Sequence, residues 1–368
     1  MPISLRFFAS ALGGKVVSQK TTLESVQAMR AIAALVVVIF HTATYLHARD
    51  LIPEVPRLAT LGRSGVDIFF VISGFIMVLI TSGEAWEKRS ASEFLARRVI
   101  RIVPIYWFYT FGMAAAILLF PHLVSAGKTT DLTHILASMF FIPWENNIGD
   151  VKPVLNVGWT LNFEMYFYLV FALLMGVSRV RMLAILSTLF GVSIVAGLLI
   201  DAPALLYVIT STLLLEFLFG CFVAHWYLSG KVLESWVSIL CIVAGTAVIV
   251  ASGIYDVLYE LPRVVKWAFP AAFVLYGMVS LENRNDLTFP RFAIALGDSS
   301  YSLYLSHVFT ISIAGKLCLV FLGTGHVTFI WVAILMSIVA GHLSYLVLER
   351  PSTRFLNGQY RRWSHRAA

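Results

Sequence analysis

Apolar runs of about twenty residues recur along the chain between short polar or charged stretches, a pattern that predicts membrane-spanning helices. Spans are expected near 26–46, 64–82, 102–120, 157–176, 182–200, 205–228, 234–252, 263–281, 298–320 and 327–348. A further apolar stretch, 132–142, has only eleven residues and is closed by Pro143. That length suits a re-entrant or interfacial helix better than a crossing. The placement of basic residues tests this choice. With ten crossings and both termini cytoplasmic, nineteen of the 27 Lys and Arg fall on the cytoplasmic side and seven outside. If 132–142 crossed, Arg179 and Arg181 would move outside and the pattern after them would invert. The expected fold is therefore all-α and polytopic, with about ten transmembrane helices and one short re-entrant or interfacial helix.

Composition supports this picture. The chain is 59% hydrophobic and 13% charged, with a mean hydropathy of +0.84, whereas an ordinary soluble domain is nearer a quarter charged. The net charge of +7 sits mostly in the loops between spans and does not suggest nucleic acid. Residues 1–22, with Arg6, Lys15 and Lys20, read as a cytoplasmic leader carrying a short interfacial segment around Leu5–Phe8, and not as a cleavable signal. Residues 23–350 form the transmembrane domain and 351–368 a basic cytoplasmic tail. No sizeable soluble domain or internal repeat is expected, so any chemistry must come from the spans and their loops. Cys221, Cys241 and Cys318 all fall in apolar runs and read as packing residues. With the histidines scattered, no metal site is expected. Phosphate-binding glycine loops and nucleophile elbows are missing from the sequence.

Ionisable residues inside the spans stand out, because they are costly there and usually face a cavity or a partner. Arg30 and His41 are separated by ten apolar residues. Eleven helical steps return to the same face, about 16 Å further along the axis. The pair reads either as a polar track, with the imidazole able to take a proton from a hydroxyl, or as an anchor and a packing residue. Glu164 lies in Trp159-Thr160-Leu161-Asn162-Phe163-Glu164-Met165-Tyr166-Phe167-Tyr168, roughly 10 Å into its span from the outer end. It can reach the depth of His41 from the opposite direction, where a carboxylate would fix the tautomer of an imidazole; pairing with an arginine for stability is the alternative. Trp159 and Tyr166 beside it suit a sugar-binding surface or an interfacial belt. Arg98 and Arg101 share a helix face at the cytoplasmic mouth of the third span, placed to grip phosphates or simply to anchor the helix. The strip Asp298-Ser299-Ser300-Tyr301-Ser302-Leu303-Tyr304-Leu305-Ser306-His307 can line a donor channel or cross-link helices. Asp67 lies near the outer end of span two, and Ser73-Gly74 lets a neighbour approach closely.

Taken in order, these stretches resemble the acyltransferase-3 family of membrane-bound acyltransferases. The likeness rests on Arg30 and His41, on Gly65-Val66-Asp67-Ile68-Phe69-Phe70-Val71-Ile72-Ser73-Gly74-Phe75, on Arg98 and Arg101 followed by Pro104 and Tyr106, on Trp159 to Tyr168, and on Ser300 to His307. It spans about 25–350, and the segment Gly158 to Glu164 is most similar to the bacterial branch that acylates exopolysaccharides. An extra periplasmic esterase-like domain, carried by some relatives, is not expected. The resemblance implies an enzyme of the bacterial inner membrane with no permanently bound cofactor. Its donor would be acetyl-CoA entering from the cytoplasm, with succinyl as the alternative acyl group. Its acceptor would be a hydroxyl of an exopolysaccharide or of its lipid-linked oligosaccharide precursor. His41 and Glu164 would be catalytic. Arg30, Arg98, Arg101, Ser300, Tyr301, Tyr304 and His307 would bind the acyl-CoA, and Asp67, Trp159, Asn162 and Tyr166 the acceptor. Buried Arg, Glu and His also suit a proton-coupled transporter or polysaccharide flippase, and a structural subunit of a polysaccharide-synthesis complex is a third reading.

Overall fold

The computed structural model describes residues 23–82, 90–120, 130–200, 203–255, 258, 260–323 and 325–367. The expected leader 1–22, the loop charges Glu84, Glu87, Lys88 and Arg89, and Lys128 lie outside the described residues. Among those described, the chain is helical, with one isolated bridge between Glu145 and Val151 and no sheet. The helices are α1 (Glu24–His47), α2 (Ser64–Ile80), α3 (Ala91–Leu119), α4 (Leu132–Met139), α5 (Trp159–Leu173), α6 (Arg179–Leu199) and α7 (Leu214–Leu228). They continue with α8 (Ser235–Ile254), α9 (Phe269–Asn283), α10 (Arg291–Asp298), α11 (Ser300–Gly315), α12 (His326–Ser344) and α13 (Arg350–Ala367). Among the described residues, eight helical runs are long and apolar enough to cross a membrane. Large apolar side chains such as Leu198, Leu199 and Leu335 are exposed on them, as a hydrocarbon solvent requires.

All ten expected spans are helical, but two are short. Helices α5 and α7 have fifteen residues each, about 22 Å of rise. The span expected over 205–228 begins as a 3-10 turn at Ala204–Leu206 and becomes an α-helix only at Leu214. Irregular backbone at membrane depth is tolerated where protein surrounds it, and α7 is buried against α2 along most of its length. Similarly, Asp298 ends the separate helix α10, and the chain breaks at Ser299 before α11 starts. The stretch 132–142 forms only the eight-residue α4, too short to cross. The expected basic tail continues the last span as helix α13.

Polar contacts and close packing fix how these helices meet. Helix α1 begins after Leu23, which has no capping side chain. Glu282, at the end of α9, supplies the cap instead, accepting from the backbone N–H groups of Glu24 (2.9 Å) and Ser25 (2.8 Å) and from the Ser25 hydroxyl (2.6 Å). Ser90 caps α3 locally by accepting from the Glu93 amide. Helices α2 and α7 cross at glycines: a Cβ on Gly74 would sit 1.9 Å from the Phe217 carbonyl oxygen, and one on Gly220 would sit 1.8 Å from that of Val71. The aromatic stack of Phe70, Phe217 and Phe167, with centroids 4.6 and 4.5 Å apart, fills the same junction.

Candidate functional site

A cavity of about 90 Å³ lies between α1, α2, α3, α5 and α11. Arg30 reaches it from α1, Arg98 and Arg101 from α3, and Ser300 from the start of α11. This follows from the sequence: Arg98 and Arg101 are one turn apart, whereas Arg97 points elsewhere and pairs with Glu93 at 2.6 Å. Arg30 is buried, donates to Gln27 Oε1 at 3.1 Å and has Arg101, Glu349, Asp298 and Glu164 as charged neighbours. Arg98 stands 6.0 Å from the Phe94 ring centroid. Among the described residues, buried Arg98 Nε and Ser300 Oγ have no hydrogen-bond partner, a costly state unless something else occupies the cavity. At the end of α10, ahead of the span that starts at Ser300, burial pushes the Asp298 carboxyl above its usual range, and Arg30, Arg101 and Arg350 partly offset this.

The remaining wall is apolar and aromatic, with Tyr301 and Tyr304 from α11 and Phe69 and Phe70 from α2. Tyr301 donates to the Ile102 carbonyl at 2.9 Å. Tyr304 donates to the Val157 carbonyl at 2.9 Å and lies 3.1 Å from the Thr160 hydroxyl. Glu164 also lines the cavity, accepting from Tyr168, one turn along α5, and from Ser73 on α2 at 3.2 Å.

The structure separates two groups that the sequence placed together. Among the described residues, Glu164 makes no hydrogen bond to His41. Instead, the His41 ring lies 5.0 Å from that of His307 and 5.2 Å from that of Phe40, outside the cavity lining. His307 in turn lies 5.8 Å from Tyr304, so Tyr304 stands between the cavity and the histidine pair. Matching depths along two helices fixes one coordinate only, and the carboxylate takes the nearer hydroxyls.

The expected acceptor residues divide as well. Asp67 is fully buried and bound to Arg263 at 2.7 and 3.3 Å. The Arg263 guanidinium lies 5.9 Å from the Trp159 ring and 5.2 Å from that of Trp267. Buried Asn162 leaves Oδ1 without a partner among the described residues, and Tyr166 packs toward Phe190 of α6; neither lines the cavity. Neither Arg263 nor Glu216 stands among the site residues expected from the sequence. Both Glu216 oxygens are buried, with Asp67 and Arg263 as charged neighbours. A glutamate within the apolar run Leu213–Val223 was the available signal. Among the described residues, no three His, Cys, Asp or Glu side chains are grouped to hold a metal ion.

Comparison with known proteins places this site in context. Residues 23–349 match the family described as Acyltransferase domain. The chain is 39% identical over 307 residues to the exopolysaccharide production protein ExoZ of Rhizobium meliloti, covering 80% of this chain and 90% of that protein. It is 27% identical over 320 residues to the O-acetyltransferase OatA of Staphylococcus aureus, covering 77% of this chain and half of that protein. No solved structure matches the chain.

Proposed function

Because the chain belongs to this acyltransferase family and is a multi-pass membrane O-acyltransferase, we propose that it moves an acetyl group from cytoplasmic acetyl-CoA to a hydroxyl of an exopolysaccharide or its lipid-linked precursor. The observation that carries this reading is the cavity with three arginines at one end. Buried Arg98 Nε and Ser300 Oγ need a partner that accepts hydrogen bonds, and the phosphates of coenzyme A do so with charge assistance. Beyond them the aromatic wall suits the uncharged pantetheine arm. The names of the two relatives, one for exopolysaccharide production and one for O-acetylation, support acceptor and acyl group.

In the reaction, the acceptor oxygen attacks the thioester carbonyl carbon as its proton passes to a base. The C–S bond then breaks, and the departing thiolate takes a proton to give free coenzyme A. His41 is the residue we assign as base, because a neutral imidazole both takes and returns that proton. Glu164 instead holds Tyr168 and Ser73 in the cavity wall. In this reading the arginine end faces the cytoplasm, both termini lie there, and the chain resides in the bacterial inner membrane.

The test is mass spectrometry of the host polysaccharide with and without the gene, together with acetyl-CoA binding by the purified protein in nanodiscs. Loss of one acetyl mass per repeat and saturable binding are expected. An unchanged polysaccharide and no acetyl-CoA binding would overturn the proposal.

A further inference from the structure

We propose that the loop 146–156, with the adjoining α4, forms a subsite for a neutral sugar residue of the acceptor, an inference that rests on the polysaccharide reading above. A second cavity of about 40 Å³ lies there, with polar lining from His134, Asn146, Asp150, Lys152 and Asn156. The loop holds its own shape. His134 Nε2 bonds the Lys152 carbonyl at 2.9 Å, and Asn146 Oδ1 accepts from the Ile148 and Asp150 amides, each at 3.0 Å. Gly149 turns the chain at φ +82°, and the Ser138 hydroxyl accepts from the Val154 amide at 2.9 Å.

What remains unsatisfied defines the ligand. Asn156 Oδ1 is buried and has no partner among the described residues. An unpaired amide oxygen calls for a donor, which a sugar hydroxyl supplies. At the rim, Lys152 Nζ and Asp150 Oδ2 are 2.7 Å apart, with side chains 41% and 46% exposed. They offer a donor and an acceptor of opposite charge, so a neutral polyol is matched where a simple anion or cation is not. The position fits the chemistry. Asn156 opens the turn Asn156–Gly158, whose Val157 carbonyl receives the Tyr304 hydroxyl from the wall of the first cavity. That turn runs directly into α5, which carries Glu164. A sugar held by Asn156 is therefore tied to the head of the helix that borders the acyl-transfer cavity.

The experiment uses the full chain in nanodiscs with acetyl-CoA as donor. The acceptor probe is the expressing strain's own exopolysaccharide, freed of esters by mild alkali and cut to oligosaccharides. Asn156→Leu is expected to raise the acceptor KM about 3- to 10-fold, the effect of one lost hydrogen bond in a buried site, while kcat and the acetyl-CoA KM stay unchanged. Asp150→Ala, at the exposed rim, is expected to raise the same KM without touching a buried group. An acceptor KM at the wild-type value in both variants would overturn the subsite and leave a notch that holds only water. So would a loss of kcat at constant KM. If the wild-type protein transfers nothing to the oligosaccharide, the functional reading fails instead. Saturation-transfer NMR of that oligosaccharide then decides the subsite: a signal lost in Asn156→Leu supports it, and equal signals overturn it.

Discussion

The rings of His41 and His307 lie 5.0 Å apart and tilted by 46°, one carried by α1 and the other by α11. His307 Nδ1 contacts the Leu303 carbonyl oxygen at 3.3 Å, an arrangement that places its N–H there. Nε2 then carries a lone pair, and it is buried with no hydrogen-bond partner among the described residues. The ionisable neighbour of His41 is thus a second imidazole and not the carboxylate of Glu164. Replacing the base of an acyl transfer removes about 10²- to 10⁴-fold in rate. His41→Ala is therefore expected to lower kcat by that factor with acetyl-CoA affinity retained, because the arginines do not depend on it. A folded His41→Ala protein with wild-type kcat in a coenzyme A release assay would remove His41 from the mechanism.

The donor end makes a separate prediction. A guanidinium that meets a phosphate contributes more than a neutral hydrogen bond, about 1.5–3 kcal/mol. Arg98→Ala and Arg101→Ala are each expected to weaken acetyl-CoA binding about 10- to 100-fold, measured by calorimetry in nanodiscs. Arg98→Lys is expected to recover only part of the loss, since an ammonium keeps the charge but not the planar fork. Wild-type affinity in Arg98→Ala would place the coenzyme A phosphates elsewhere.

Much of this arrangement was legible in the sequence, and the limits have physical causes. Apolar length predicts a helix at each expected span and a stretch too short to cross at α4, because the bilayer thickness dictates that signal. Helical spacing predicts that Arg98 and Arg101 act together, and both line the cavity with Arg30. The partner of His41 was not legible. Rotation of α1 against α5 and α11 is set by packing between distant segments, which no local period encodes. The same holds for Glu282, whose carboxylate caps a helix 257 residues away in sequence. Arg263 carries no local signal of its role either, because its partner, Asp67, belongs to another helix.

That ion pair carries a prediction of its own. Asp67 is fully buried and holds Arg263 through two contacts, whereas buried Glu216 stands beside both as a second carboxyl. Breaking a buried pair strands the surviving charge and costs about 3–5 kcal/mol. Asp67→Asn is thus expected to lower the thermal midpoint markedly in detergent. Glu216→Gln removes a carboxylate beside another carboxylate, so its midpoint is expected to stay level or rise. Equal losses in the two variants would show that Arg263 is shared evenly between them.

The crossing of α2 and α7 sets where Asp67 and Glu216 stand, and glycine makes that crossing close. A methyl group at Gly74 or Gly220 would overlap a carbonyl oxygen at 1.9 or 1.8 Å, backbone that has no rotamer by which to move aside. Gly191 in α6 is also helical, but nothing lies within 4 Å of where its Cβ would be. Alanine in an open helical position gains roughly 0.5–1 kcal/mol over glycine. Gly191→Ala is therefore expected to keep or slightly raise the thermal midpoint. Gly74→Ala and Gly220→Ala are expected to separate the helices, reduce the yield of folded protein and weaken acyl transfer, because Phe70 and Ser73 of the cavity wall ride on α2. Size-exclusion profiles and coenzyme A release, measured for all three variants side by side, check this. Wild-type behaviour of Gly74→Ala would mean that α2 and α7 do not approach as closely as the structure places them.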